Sequence, residues 1–229
     1  MTTPPSRELP LFPLNVVLFP GMVLPLMVFE ERYKLMMKDC LEGDRSFGVV
    51  LIKSGKEVGG PALPFDVGTR ARIVDVIPRG EGRMSLTAVG NEVFRILEMT
   101  RQTPYVIGQV EYLERKRSIS EEASGLAARV RSYCQTYASL LSALMGDESK
   151  ELKLEDDPEK LSYMVASTLR TGMRRKQGLL ETPSTVDRLK EELQILQEEN
   201  LTLQLFLSEK QRSEGGEGKG RGQPRFSPN

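Results

Sequence analysis

Hydrophobic periodicity changes once along these 229 residues, near position 117, and that change points to an α+β chain in two parts. Before it, apolar residues fall in short β-like runs. From Glu8 to Phe29 they are punctuated by Pro10, Pro13, Pro20 and Gly21, which predicts two short strands joined by a loop. Tyr33, Met36, Met37, Cys40 and Leu41 share one face of a predicted helix over Glu30–Leu41 that Gly43 should end. Phe47–Ile52 reads as a buried strand, and the Gly- and Pro-containing stretch Lys53–Asp66 as an exposed loop. Thr69–Ile77 and Met84–Val89 flank a polar turn with two glycines, so they should form a hairpin. Gly90-Asn91 then marks a bend or bulge before Val93–Leu97, and Tyr105–Leu113 supplies a last strand.

After position 117 the period lengthens to that of a helix. Ser118 and Glu121 have capping-box spacing, and Ala123, Leu126, Ala127, Val130, Cys134, Tyr137, Leu141 and Leu144 follow on one stripe. Asp157-Pro158 should open a second helix that carries Leu161, Met164, Val165, Thr168 and Leu169 and stops before Gly172. A short third helix carries Leu179 and Leu180, and Thr182-Pro183 opens a fourth running to about Gln211. The expected organisation is an unstructured 1–7, a β-rich lobe over 8–117 with one helix, an all-α bundle over 118–212 and an unstructured Gly-rich 213–229.

Composition narrows the chemistry. Histidine is absent, which removes imidazole metal sites, Ser-His and Cys-His nucleophiles and the common proton shuttle at neutral pH. Cys40 and Cys134 are too few for a zinc ligand set and are expected to be buried thiols. Lysine plus arginine equals aspartate plus glutamate at 32 each, so no global field draws the chain to nucleic acid or anionic lipid. The apolar segment Val16–Phe29 falls short of the ~20 residues of a membrane span and is broken by Pro20 and Pro25. A cytoplasmic protein without a membrane anchor is expected.

No motif supplies a reaction. Gly218-Lys219 lacks the first glycine and the hydroxyl of a phosphate loop, and Ser46 has Asp44 where a nucleophile elbow needs glycine. Gly80 and Gly82 belong to the hairpin turn, and Asp156 and Asp157 to helix capping. Two basic clusters, Arg115-Lys116-Arg117 and Arg170 with Arg174-Arg175-Lys176, could meet phosphates. Acidic neighbours and the lack of interleaved aromatic residues make nucleic-acid binding the alternative reading rather than the leading one.

Three segments together resemble a known family. ELPLFPLNVVLFPGMVLPLMVFEERY (Glu8–Tyr33) is similar to the opening of the N-terminal domain of Lon proteases, with its leucine-proline-leucine strand and phenylalanine-proline-glycine turn. Val67–Ile96 resembles that family's Gly-Thr-x-Ala-x-Ile strand and hairpin, and Asp157–Leu193 its helical continuation. The resemblance implies a PUA-like β-rich lobe followed by a helical bundle, and a role in recognising protein substrates or degron-like peptides. Complete Lon enzymes continue into ATPase and Ser-Lys protease modules, whereas this sequence stops where the ATPase would begin. A stand-alone, non-catalytic recognition module without cofactor or metal is therefore expected, with protein or unfolded-peptide clients, and a Lon-type protease or a homodimer as further partners.

Two places suit such partners. Met22, Met27, Met36 and Met37 cluster in sequence, and flexible thioethers fit surfaces that accept varied apolar peptides. Met36 and Met37 lie on the first helix's core stripe, so the loop Phe19, Pro20, Gly21 and Met22 is the candidate peptide site, bordered by the loop Gly55–Pro64. In the last helix, Leu189, Leu196 and Leu203 repeat every seven residues with Asn200 on the same seam, as in a short zipper that could join two copies. The competing reading packs this seam on the chain's own bundle.

Overall fold

β-branched and alternating runs form six strands: β1 (Arg7–Leu14), β2 (Val23–Val28), β3 (Ser46–Gly55), β4 (Ala62–Pro78), β5 (Met84–Arg101) and β6 (Ile107–Tyr112). The computed structural model describes residues 7–60, 62–114, 120–146 and 152–216, with side chains described as far as residue 212. The strand order is β2-β5-β4-β3-β1-β6, and β6 pairs with β5 as well as β1. The sheet therefore closes on itself through five strands, with β2 added at one flank of β5. Only β1 and β3 run parallel. Closure is possible because β5 is 18 residues long: its first half pairs with β2 and its second with β6, while β4 lies along its other edge.

The expected bulge at Gly90-Asn91 is the device that bends β5 between those halves. Thr69 pairs with Val93 and Ala71 with Gly90, so two steps on β4 oppose three on β5. The sequence reading divided this strand in two; the bulge bends it without ending it. The predicted loop over Lys53–Asp66 is likewise shorter, because β3 runs to Gly55 and β4 starts at Ala62.

Helix α1 (Glu31–Glu42) follows β2 and buries Tyr33, Met36, Met37 and Cys40 against the barrel, with Tyr33 stacked on Phe12 at 4.0 Å. Gly43 caps it. In the second part, α2 (Glu121–Met145) starts at Ser120, whose hydroxyl accepts from the Ala123 amide; Ser118 lies outside the described residues. Asp157 caps α3 (Pro158–Thr168), which ends at Leu169. Gly172, expected to terminate this helix, instead begins α4 (Met173–Glu181). The last helix, α5 (Thr185–Gly216), opens at Ser184 rather than Thr182, since Ser184 Oγ accepts from the Asp187 amide. It extends into the stretch expected to lack structure from 213 onward; residues 217–229, like 1–6, lie outside the described set.

The two parts share one apolar core. Val17, Phe19, Leu51, Val67 and Val93 from the β part pack with Val130, Leu161, Val165, Leu179, Leu189 and Leu196 from the helices. A buried polar link reinforces the junction: Gln177 Nε2 donates to the Val67 carbonyl at 2.9 Å. This is the mixed α+β, PUA-like arrangement that the sequence suggested.

Candidate functional site

The four residues singled out in the first loop are held by the β5 bulge. Gly21 takes φ +81°, the Met22 amide donates to the Phe19 carbonyl at 3.0 Å, and the turn is stitched to Gly90 in both directions. Gly21 N–H donates to the Gly90 carbonyl at 2.8 Å and Gly90 N–H to the Met22 carbonyl at 3.0 Å. A Cβ at position 90 would overlap the Phe19 carbonyl oxygen, so glycine there permits the approach.

This anchored turn faces α3. Between them lies a cleft of about 390 Å³, with Pro20, Gly21 and Met22 on one side and Tyr163, Met164 and Glu159 on the other. Phe19 is fully buried and does not line it; its ring lies 6.3 Å from the Tyr163 ring beneath. Tyr163 in turn rests on a buried polar cluster. The guanidinium of Arg188, 1% exposed, lies 3.9 Å from its ring centroid. Arg188 Nε donates to Ser162 Oγ at 2.7 Å and Nη1 to the Thr182 carbonyl at 2.9 Å, and Ser162 Oγ donates to Glu192 Oε1 at 2.7 Å. Burial raises the Glu192 carboxyl well above the usual carboxylate range, against the opposing pull of Ser162 and Arg188. Burial also pushes the Cys134 thiol up to about 11 and the Cys40 thiol to about 12.

The turn's place beside a cleft follows from its loop chemistry, but the α3 wall carries no local signature. Met164 sits on a helix stripe that reads as core and Tyr163 lies beside that stripe, and only the fold brings them to one cleft with Pro20 and Met22. The loop Gly55–Pro64 does not border this cleft. Glu57 and Val58 instead line a separate 160 Å³ hollow with Pro25–Glu30 and Tyr33. Met36 and Met37 are fully buried, while Met27 is 55% exposed on β2.

The heptad seam also finds its partner inside the chain. Leu189, Leu196, Leu203 and Asn200 are buried, and α5 runs alongside α2 in the same direction: Lys190 pairs with Glu122 at 2.8 Å and Asn200 Nδ2 donates to the Tyr133 carbonyl at 3.0 Å. The zipper pattern thus records an intramolecular helix pair, and these four side chains are not presented to a second copy in this fold. Of the basic clusters, 115–117 lies outside the described residues. Arg175 is paired with Glu198 at 2.9 Å, and Lys176 Nζ donates to the Ser167 carbonyl at 2.9 Å. Asp157 serves as the α3 cap, as capping chemistry predicts. No group of three or more His, Cys, Asp or Glu among the described residues is placed to hold a metal ion, and none of the described helices is long and apolar enough to cross a membrane.

Residues 8–198 match the ATP-dependent protease La (LON) substrate-binding domain. The chain belongs to that family. Among curated relatives, Lon protease 2 of Myxococcus xanthus is 30% identical over 202 residues, which is 87% of this chain and 24% of the relative. Lon protease of Anaeromyxobacter dehalogenans is 30% identical over 200 residues, 86% of this chain and 24% of the relative. The chain therefore spans about a quarter of the length of these relatives, and the matching quarter is the Lon substrate-binding part. A solved Lon N-terminal domain protein from Xanthomonas campestris superposes with TM-score 0.61 at 28% identity, covering 82% of this chain and 97% of the other. The N-terminal domain of Lon from the Mycobacterium avium complex, at 15% identity, shares the fold with TM-score 0.64, covering 83% and 98%.

Proposed function

We propose that this Lon substrate-binding domain recognises protein or unfolded-peptide clients in the cleft between the Pro20–Met22 turn and α3, and performs no reaction of its own. The observation that carries the reading is that two flexible thioethers, Met22 of the turn and Met164 of α3, line one cleft together with Tyr163. Such a surface adapts to different apolar side chains. The β part supplies one wall and the helical part the other, so neither alone would hold a client. A cytoplasmic setting, and delivery of the client to a Lon-type protease, fit the same reading. Self-association, if it accompanies this role, must use a surface other than the Leu189–Leu203 seam.

The test uses the full chain and fluorescein-labelled unfolded casein in a polarisation titration. Met22→Arg and Met164→Arg place a long cation in a small cleft from opposite walls. Each should weaken casein binding at least ten-fold while far-UV circular dichroism stays unchanged. Unchanged affinity in both folded variants would remove the cleft from the account.

A further inference from the structure

The walls and the rim of this cleft differ in chemistry. Pro20, Met22, Tyr163 and Met164 are the apolar part of its lining, beside Asn91 and Ser167, whereas the α3 end carries Glu155 and Glu159 with Lys160 as the one cation of the lining. The segment that enters α3 adds Asp156 and Asp157 next to them in sequence. Asp157 is engaged as the helix cap through Oδ1, and Asp156 lies 3.8 Å from Arg131. Glu155 is exposed and its carboxylate has no ion pair among the described residues; Arg131 donates to its backbone carbonyl at 2.7 Å. At about 390 Å³ the cleft is near the small end of ligand pockets and has room for one large side chain with its neighbouring residues, not a long segment.

We infer that the preferred client segment is a large apolar side chain directly flanked by lysine or arginine. This deepens, and rests on, the reading of the cleft as a peptide site. The apolar anchor enters between Met22 and Met164 over Tyr163. The flanking cation lies at the α3 rim, where the two carboxylates Glu155 and Glu159 outnumber Lys160, which offsets part of their attraction. The apolar cavity supplies contact with any greasy segment; the rim supplies the choice among them.

Three fluorescein-labelled nonapeptides with the same central phenylalanine, flanked by Lys, Gln or Glu, test this by polarisation titration against the full chain. At low salt the Lys-flanked peptide should bind about three- to ten-fold more tightly than the Gln-flanked one, and the Glu-flanked one more weakly again, with the spread collapsing as salt is raised. The double variant Glu155→Lys/Glu159→Lys should reverse the order of the Lys- and Glu-flanked peptides, by the same Coulomb argument. Equal affinity for all three peptides, still lost in Met164→Arg, would overturn the charge preference and leave the cleft reading standing. Failure of any peptide to bind in a Met164-dependent way would overturn both.

Discussion

Replacing Arg188 by methionine tests the buried platform beneath the cleft. The substitution keeps a long apolar stem but removes the guanidinium that touches the Tyr163 ring at 3.9 Å and donates to Ser162 and to the Thr182 carbonyl. Leaving that carbonyl without its donor costs about 1–3 kcal/mol, and a desolvated cation–π contact adds about 2 kcal/mol. Relief of guanidinium desolvation offsets part of this, so the expected net loss is about 2–4 kcal/mol. For a chain of this size each kcal/mol lowers Tm by about 2–4 °C, which predicts a fall of roughly 4–16 °C in a thermal melt. Urea unfolding of Arg188→Met gives the free energy directly, and casein titration of the folded variant reports whether Tyr163 has lost its support. A variant as stable as wild type, within about 0.5 kcal/mol, would show that the cluster is electrostatically neutral to the fold and refute the reasoning.

Two other outcomes follow from buried titratable groups. The native state holds the Glu192 proton more tightly than the unfolded chain, so wild-type stability should decline as pH rises from the unfolded carboxyl range toward the raised native one. Glu192→Gln should flatten that slope, matching wild type near pH 4 and exceeding it at pH 8 in urea titrations; a variant that loses stability at pH 8 would mean that the carboxylate is charged and needed. With native thiols at about 11 and about 12, Cys134 and Cys40 should both resist iodoacetamide at pH 7.5 and label within minutes in urea, read by mass spectrometry. Rapid native labelling of either would contradict its burial.

How much of this was legible in the sequence depends on whether a feature is local. The α1 stripe of Tyr33, Met36, Met37 and Cys40, the Asp157-Pro158 helix start and the Gly90-Asn91 bulge each act within a few residues, and each is found where its pattern places it. Pairing is not local. Nothing in Met84–Arg101 announces that one strand serves β2, β4 and β6 and so closes a barrel. The leucine seam of α5 shows its period plainly but not its partner, which is α2 of the same chain. For the same reason the turn at Pro20–Met22 could be suspected from its glycine and methionine, whereas Tyr163 and Met164 opposite it could not. Met164 lies on a stripe whose spacing satisfies core packing equally well, nothing local marks Tyr163, and Arg188 and Glu192 look like an ordinary exposed pair until the fold buries them.

The most direct test of client recognition between the turn and α3 is site-specific photo-cross-linking. The full chain carrying p-benzoylphenylalanine at Met22, Met164 or, as a control, the exposed Leu35 of α1 is irradiated with unfolded casein and resolved by mass spectrometry. The account predicts casein adducts from positions 22 and 164 and few from 35. Adducts chiefly from position 35, or none from the two cleft positions, would contradict it.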